Sequence, residues 1–190
     1  MNIGWELNWA VGGACEPIEE GVSTTVTQHT AIEQRVYQTL DGLAVPYEAI
    51  VIDPEYADTA AFCEHYGFPA DHSVNTIIVS SKKEPKQYCA CLVLATTRLD
   101  VNRTVRKLMG ASRVSFASAD DTVALTGMMI GGVTVFALPA ELPIYVDAPI
   151  MALDYVILGG GSRSLKIRVS PTVLEHLPQV SIIPGLGVGP

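Results

Sequence analysis

The chain has 190 residues and little of what would mark a membrane, secreted or metal protein. Its apolar runs, such as Cys91-Leu92-Val93-Leu94-Ala95, fall far short of the roughly 20 residues a membrane helix needs. Residues 1–13 have neither a basic start nor a long apolar stretch, so they do not read as a signal peptide. The expectation is a cytoplasmic protein without a membrane partner. Cysteine is scarce: four residues (15, 63, 89, 91), no C-x-x-C pair, and four scattered histidines. That pattern predicts no zinc or iron site and no cofactor. No Gly-Lys-Ser/Thr follows a glycine run, and there is no G-x-S-x-G elbow, so neither a P-loop nor an α/β-hydrolase nucleophile is expected. Basic residues are nearly absent from the first part: residues 1–70 hold Arg35 against eleven acids.

The net charge of −8 argues against general nucleic-acid binding and against DNA as a partner. Residues 71–190 reverse the balance, with eleven bases against nine acids. Three basic clusters stand there: Lys82, Lys83 and Lys86; Arg103, Arg106 and Lys107; Arg163, Lys166 and Arg168. Any contact with RNA is expected to be local to one of them. With 48% hydrophobic and 17% charged residues, the chain is long and apolar enough to bury a core without staples.

Periodicity predicts a helix from about 29 to Gly42, with Ile32, Val36 and Leu40 on one face. A strand is expected at 47–52 and a short helix from Asp58 to Gly67. Residues 74–80 and 88–97 read as two strands of a hairpin around the polar turn 81–86. Asp100 is expected to cap a helix stopped by Gly110. A strand at 113–116 and one or two helical turns at 119–125 follow. Further strands are expected at 132–136, 144–147, 155–158 and 165–169. Ser170-Pro171 predicts a helix to about Leu177. Residues 1–28 read as an extension, 29–180 as one domain, and 181–190 as an irregular tail. Strict β–α alternation fails after residue 127, so the fold class is α+β: a mixed, mainly antiparallel, partly barrel-like sheet with surrounding helices.

Three segments have the chemistry for close approach to a ligand: 125–136, 158–164 and 74–77. Glycines in the first two let backbone N–H groups come near a carbonyl oxygen or a developing oxyanion. The competing reading is that they serve only as turns or bulges.

The segment Thr126-Gly-Met-Met-Ile-Gly-Gly-Val-Thr-Val135 resembles the T-G-x-x-x-G-G-[IV]-S-P block of the YbaK/prolyl-tRNA editing domain family. Leu142-Pro-Ile-Tyr-Val-Asp-Ala-Pro149, then Gly159-Gly-Gly-Ser-Arg163, follow in the family's order. Upstream, Leu99-Asp-Val-Asn-Arg-Thr-Val-Arg-Lys-Leu-Met-Gly-Ala111 is similar to its L-D-x-x-K helix, and Asp58-Thr59 also fits. The similarity covers roughly residues 30 to 178. The resemblance implies the fold of the synthetase-associated editing domain and hydrolysis of the ester between an amino acid and the terminal ribose of tRNA, in a small pocket. The resemblance also implies attack by water with help from the substrate's own ribose hydroxyl. The partner implied is the 3′ end of an aminoacyl-tRNA.

On this alignment Asn75, Gly131 and Gly132 occupy the catalytic positions. Thr59, Thr126, Gly127, Thr134, Gly160, Gly161, Ser162 and Arg163 are candidate substrate-binding residues, with Arg163 suited to a phosphate. Two departures stand out. The family's lysine falls on Asn75, exchanging a cation for a neutral amide. Its loop proline falls on Val135, with Thr134 in place of serine. The expected function is trans-editing deacylation with altered specificity. The alternative is a catalytically degenerate binding module of the same fold. The amino acid, the tRNA and the oligomeric state are not legible.

Overall fold

The computed structural model describes residues 30–189; the expected extension at 1–28 lies outside the described residues. The first helix, α1 (Ala31–Leu43), starts on a reciprocal cap. The Thr30 hydroxyl accepts from the Glu33 N–H at 3.3 Å, and the Glu33 carboxylate accepts from the Thr30 N–H at 2.7 Å. Val36 and Leu40 are fully buried on the face that the periodicity indicates. β1 (Tyr47–Val51) follows, then a 3-10 turn at Pro54–Tyr56 and α2 (Thr59–Tyr66), closed by Gly67 at φ 73°.

β2 (Val74–Ser81) and β3 (Tyr88–Leu94) form the expected hairpin, in register from Val74 opposite Leu94 to Ser80 opposite Tyr88. β4 (Arg98–Leu99) leads to Asp100, whose carboxylate accepts from the Arg103 and Thr104 N–H groups. The first turn, Val101–Val105, is wound as a π-helix before α3 (Arg106–Leu108). β5 (Val114–Phe116), α4 (Ala119–Thr126), β6 (Ile144–Asp147), β7 (Val156–Gly159), β8 (Leu165–Val169), β9 (Val180–Ile183) and β10 (Gly187–Val188) complete the order.

The strands make a five-stranded sheet in the order β5-β2-β3-β6-β9, a three-stranded sheet β1-β8-β7, and the pair β10-β4. Pairing is antiparallel except at β3–β6 and β6–β9. The class is α+β with mainly antiparallel sheets, as the pattern implies, and the sheets do not close into a barrel. The main core joins the two larger sheets and includes Leu92, Phe136, Val146, Leu158, Ile167 and Leu174. β3 is central, so both faces are covered, and Cys89 to Val93 form an unbroken buried run. Cys89 and Cys91 share one face with Sγ atoms 3.8 Å apart, as free thiols packed with Val79, Val105 and Leu186. A third cluster, Ile52, Ala57, Phe62 and Ile157, lies where α2 packs on the three-stranded sheet.

Three expectations are corrected. Residues 132–136 form no strand: the Gly132 N–H bonds back to Met129 O at 3.0 Å, and its carbonyl accepts from Gly161, so this backbone is spent on loop contacts. The helix after Ser170 is a 3-10 segment, Pro171–His176. The tail is not irregular: β9 extends the large sheet beside β6, β10 pairs with β4, and Leu186 is fully buried. A β-branched Val-Ser-Ile-Ile run beside an open parallel edge explains the first of these pairings.

Candidate functional site

β5 covers β2 only at Val79–Ser81, so the edge of β2 from Val74 to Ile77 meets no strand among the described residues. In the hairpin, odd-numbered residues of β2 turn their backbone groups toward β3. Ile78 O accepts instead from Ala117 N at 2.9 Å, on the opposite side. The backbone of Thr76, two residues earlier, therefore faces the same open side. A cavity of about 330 Å³ lies along this edge. Its walls are β2, the start of α2, the loop Ile130–Val133, and the facing positions Gly159 and Lys166 of the smaller sheet.

Asn75 and Thr59 meet at this wall. The Thr59 hydroxyl, at the start of α2, donates to the Asn75 side-chain oxygen at 2.7 Å. That bond orients the amide and leaves both of its N–H donors without a partner among the described residues. The Thr76 hydroxyl is also buried with no such partner.

The loop is held by close backbone approach. Gly131 lies at φ 90°, and a Cβ there would sit 2.4 Å from Arg163 Nη1. A Cβ on Gly132 would sit 2.5 Å from the Ser162 carbonyl, and one on Gly159 would sit 2.4 Å from Val133 O. Glycine at these positions lets the 131–133 and 159–162 segments lie against each other. The Gly161 N–H to Gly132 O bond, at 2.9 Å, joins them.

Lys166 comes from β8, opposite Gly159 in the ladder. Its Nζ donates to Ala57 O at 2.7 Å and to Gly131 O at 3.3 Å, and stands 5.4 Å from the Phe62 ring centre. The residue is only 6% exposed, and no carboxylate lies within ion-pair distance among the described residues. Burial disfavours its charged form and pulls its pKa down to about 8.

Of the residues singled out in the sequence, Asn75, Thr59 and Gly131 line the cavity; Gly132 and Gly161 do not, Gly132 packing on Ser162 and Gly161 on α1. Thr126 is buried, its hydroxyl donating to Thr122 O at 2.7 Å and accepting from Met128 N at 3.0 Å. Gly127 ends α4 at φ 75°. Thr134 is fully buried, with a hydroxyl that finds no partner among the described residues. Gly160 packs on Leu165. Ser162 donates to Glu33 of α1 and accepts from the Ser164 N–H at 3.0 Å. Arg163 spans two loops, donating to Pro54 O at 3.0 Å and Ile130 O at 3.1 Å, with Asp58 at 3.4 Å. Most of its fork is thus committed to the protein. No three metal-ligating side chains gather among the described residues, and none of their helices is long and apolar enough to cross a membrane.

The family model for the aminoacyl-tRNA editing domain matches residues 53–177, which takes in the whole cavity wall. The chain belongs to the aminoacyl-tRNA editing domain family. Among solved structures, it resembles a "putative trans-editing enzyme for prolyl tRNA synthetase" at 21% identity and TM-score 0.69, over 82% of this chain and 98% of that one. It also resembles a "hypothetical protein APE2540" at 24% identity and TM-score 0.67, over 78% of this chain and 97% of that one. At such identities these neighbours establish the fold.

Sequence reasoning placed Gly159 only within the 158–164 segment and Lys166 only within a basic cluster, and it missed Phe116 as a cavity residue. Leu-Lys-Ile-Arg-Val reads as a strand with one wet face, yet α2 covers that face at Lys166. Phe116 ends a three-residue strand and is 59% exposed at the cavity rim, near Ile130 at 55%. Its position in a short polar stretch carries no signal of that role.

Proposed function

We propose that this chain hydrolyses the ester of a small amino acid on the 3′ end of a mischarged tRNA, acting in trans and in the cytoplasm. The unit that does so is residues 29–180, with 1–28 as an extension. The observation that carries the reading is the meeting of Asn75, Thr59 and Gly131 at one cavity inside the span matched by the editing family. The cavity, about 330 Å³, has room for an aminoacyl group. The Asn75 amide protons, without a partner among the described residues, and the Thr76 backbone on the open edge of β2 would polarise the ester carbonyl. Water adds to the carbonyl carbon. The C–O bond to the ribose then breaks, the ribose oxygen takes a proton, and the amino acid leaves as its carboxylic acid. The substrate's own ribose hydroxyl assists the water, so no protein triad is required.

The second reading is a binding module without turnover, favoured by the neutral Asn75 on β2 and by the net charge of −8. A panel of aminoacyl-tRNAs incubated with the protein separates the two. Loss of ester from one or more small aminoacyl-tRNAs above the uncatalysed rate is the expected result. Binding of aminoacyl-tRNA with no ester loss across the panel would leave the binding module.

A further inference from the structure

The cavity contains a cation that the resemblance does not assign. We propose that Lys166 is the group that holds the ester oxygen of the substrate, delivered from β8 across the cavity from Asn75. The inference rests on the deacylase reading and adds a residue to it.

An ammonium has three donors. Two are used, on Ala57 O and Gly131 O, which leaves one for the cavity that Lys166 lines. Joining two carbonyls does not need a charge. A neutral side-chain amide, with two N–H donors, could do it without the desolvation cost of a buried cation. The nearby carboxylate, Asp58, is within hydrogen-bond distance of Arg163 rather than of Lys166. Lys166 thus brings a positive charge with no ion-pair partner among the described residues to the cavity that Asn75 also lines. Other charged and titratable groups acting on it are Cys63 of α2 and Arg163.

The group that matches such a site is an oxygen that gains negative charge during reaction. When water adds to the ester carbonyl, the carbonyl electron pair moves onto its oxygen. Lys166 would stabilise that oxyanion through its third N–H, without transferring a proton or forming a bond. Its hold on Gly131 O would fix the loop at the same moment. At neutral pH it is mostly protonated, because its pKa is about 8.

The test compares wild type, Lys166→Met and Lys166→Met/Asn75→Lys on the most rapidly hydrolysed tRNA of the panel, with circular dichroism to verify folding. Lys166→Met is expected to lower kcat/KM by about 100-fold, as for the loss of one oxyanion donor. Wild-type kcat/KM should fall as pH rises through about 8 after subtraction of uncatalysed hydrolysis. The double variant should recover at least about tenfold and show its decline at higher pH, because its lysine is less buried. Folded Lys166→Met with wild-type kcat/KM would overturn the proposal. So would a double variant no better than the single one, the mark of a purely structural bridge. If Lys166→Met does not fold, the wild-type pH profile decides, and a flat profile through that range overturns it. If wild type hydrolyses nothing, the deacylase reading fails, and Lys166 is tested by binding of an alanyl-amide analogue of the terminal adenosine. Weaker binding in Lys166→Met then supports the cavity role, and unchanged binding refutes it.

Discussion

Replacing Lys166 by methionine also tests the energetics of the site without reference to any substrate. The fall of its pKa from 10.5 to about 8 corresponds to about 3 kcal/mol by which folding disfavours the charged form. Methionine removes that penalty and fills similar space. It also strips Ala57 O and Gly131 O of a donor, at about 1–3 kcal/mol for each buried group left unpaired. At neutral pH the balance lies between about 1 kcal/mol in favour of the variant and about 3 kcal/mol against it. The pH dependence does not cancel. Below pH 8 the lysine is protonated in both folded and unfolded chains, so it gives no slope. Between 8 and 10.5 the unfolded chain binds more protons, and stability from this group rises with pH. Wild type should therefore gain up to about 3 kcal/mol relative to Lys166→Met across that window. Urea denaturation of both proteins at intervals through the window measures the difference, in which the shared tyrosine and cysteine titrations drop out. Parallel curves would mean that Lys166 is not desolvated, and the geometry of the cavity wall would be wrong.

Gly132→Ala should destabilise the fold by about 1–3 kcal/mol, because its Cβ would meet the Ser162 backbone at 2.5 Å and nothing flexible can yield. In the same denaturation series Gly42→Ala, inside the last turn of α1 with nothing within 4 Å, should be neutral or stabilising by up to about 1 kcal/mol. Thr30→Ala should cost about 1 kcal/mol through loss of the α1 cap, read as a shift in the denaturation midpoint at constant slope. Phe116→Ala should leave stability nearly unchanged, since the ring is 59% exposed. It should raise KM for aminoacyl-tRNA by the equivalent of about 1–3 kcal/mol, the worth of one stacked base, if the rim receives the terminal adenine.

The parts of the fold that were legible are those in which local chemistry and packing agree. Val36 and Leu40 repeat on the buried face of α1, and Thr30 with Glu33 marks its start. The β-branched run of β2 and the polar turn before β3 specify a hairpin from sequence alone. The errors fall where tertiary contacts decide. Val133-Thr-Val-Phe136 has strand composition, yet its neighbours Gly131 and Gly132 direct it into a loop against Gly159 and Ser162. The tail is rich in glycine and proline, but Leu186 finds a pocket beside Val105, and Asp147 accepts from its N–H at 3.1 Å. A short segment docks when one apolar side chain and one backbone donor are satisfied, and neither condition is visible in its own composition.

The site shows the same limit more sharply. Asn75, Thr59 and Gly131 were identified from the order of motifs that resembles the editing family. The charge was not. The members of the third basic cluster have three different settings: Arg163 braces two loops, Arg168 pairs with Glu48 at 3.4 Å over the Tyr155 ring at the surface, and Lys166 is buried. Alternation along β8 places Lys166 and Arg168 on one face, and nothing in Leu165–Val169 tells that α2 covers only the first of them. Period-2 reasoning assigns a face, and burial of that face depends on an element about a hundred residues away. A cation required at a cavity between two sheets can be supplied from either sheet, since both walls reach the same space. A sequence motif that ties the charge to one strand therefore leaves open a supply from the other, as Lys166 on β8 is proposed to give here.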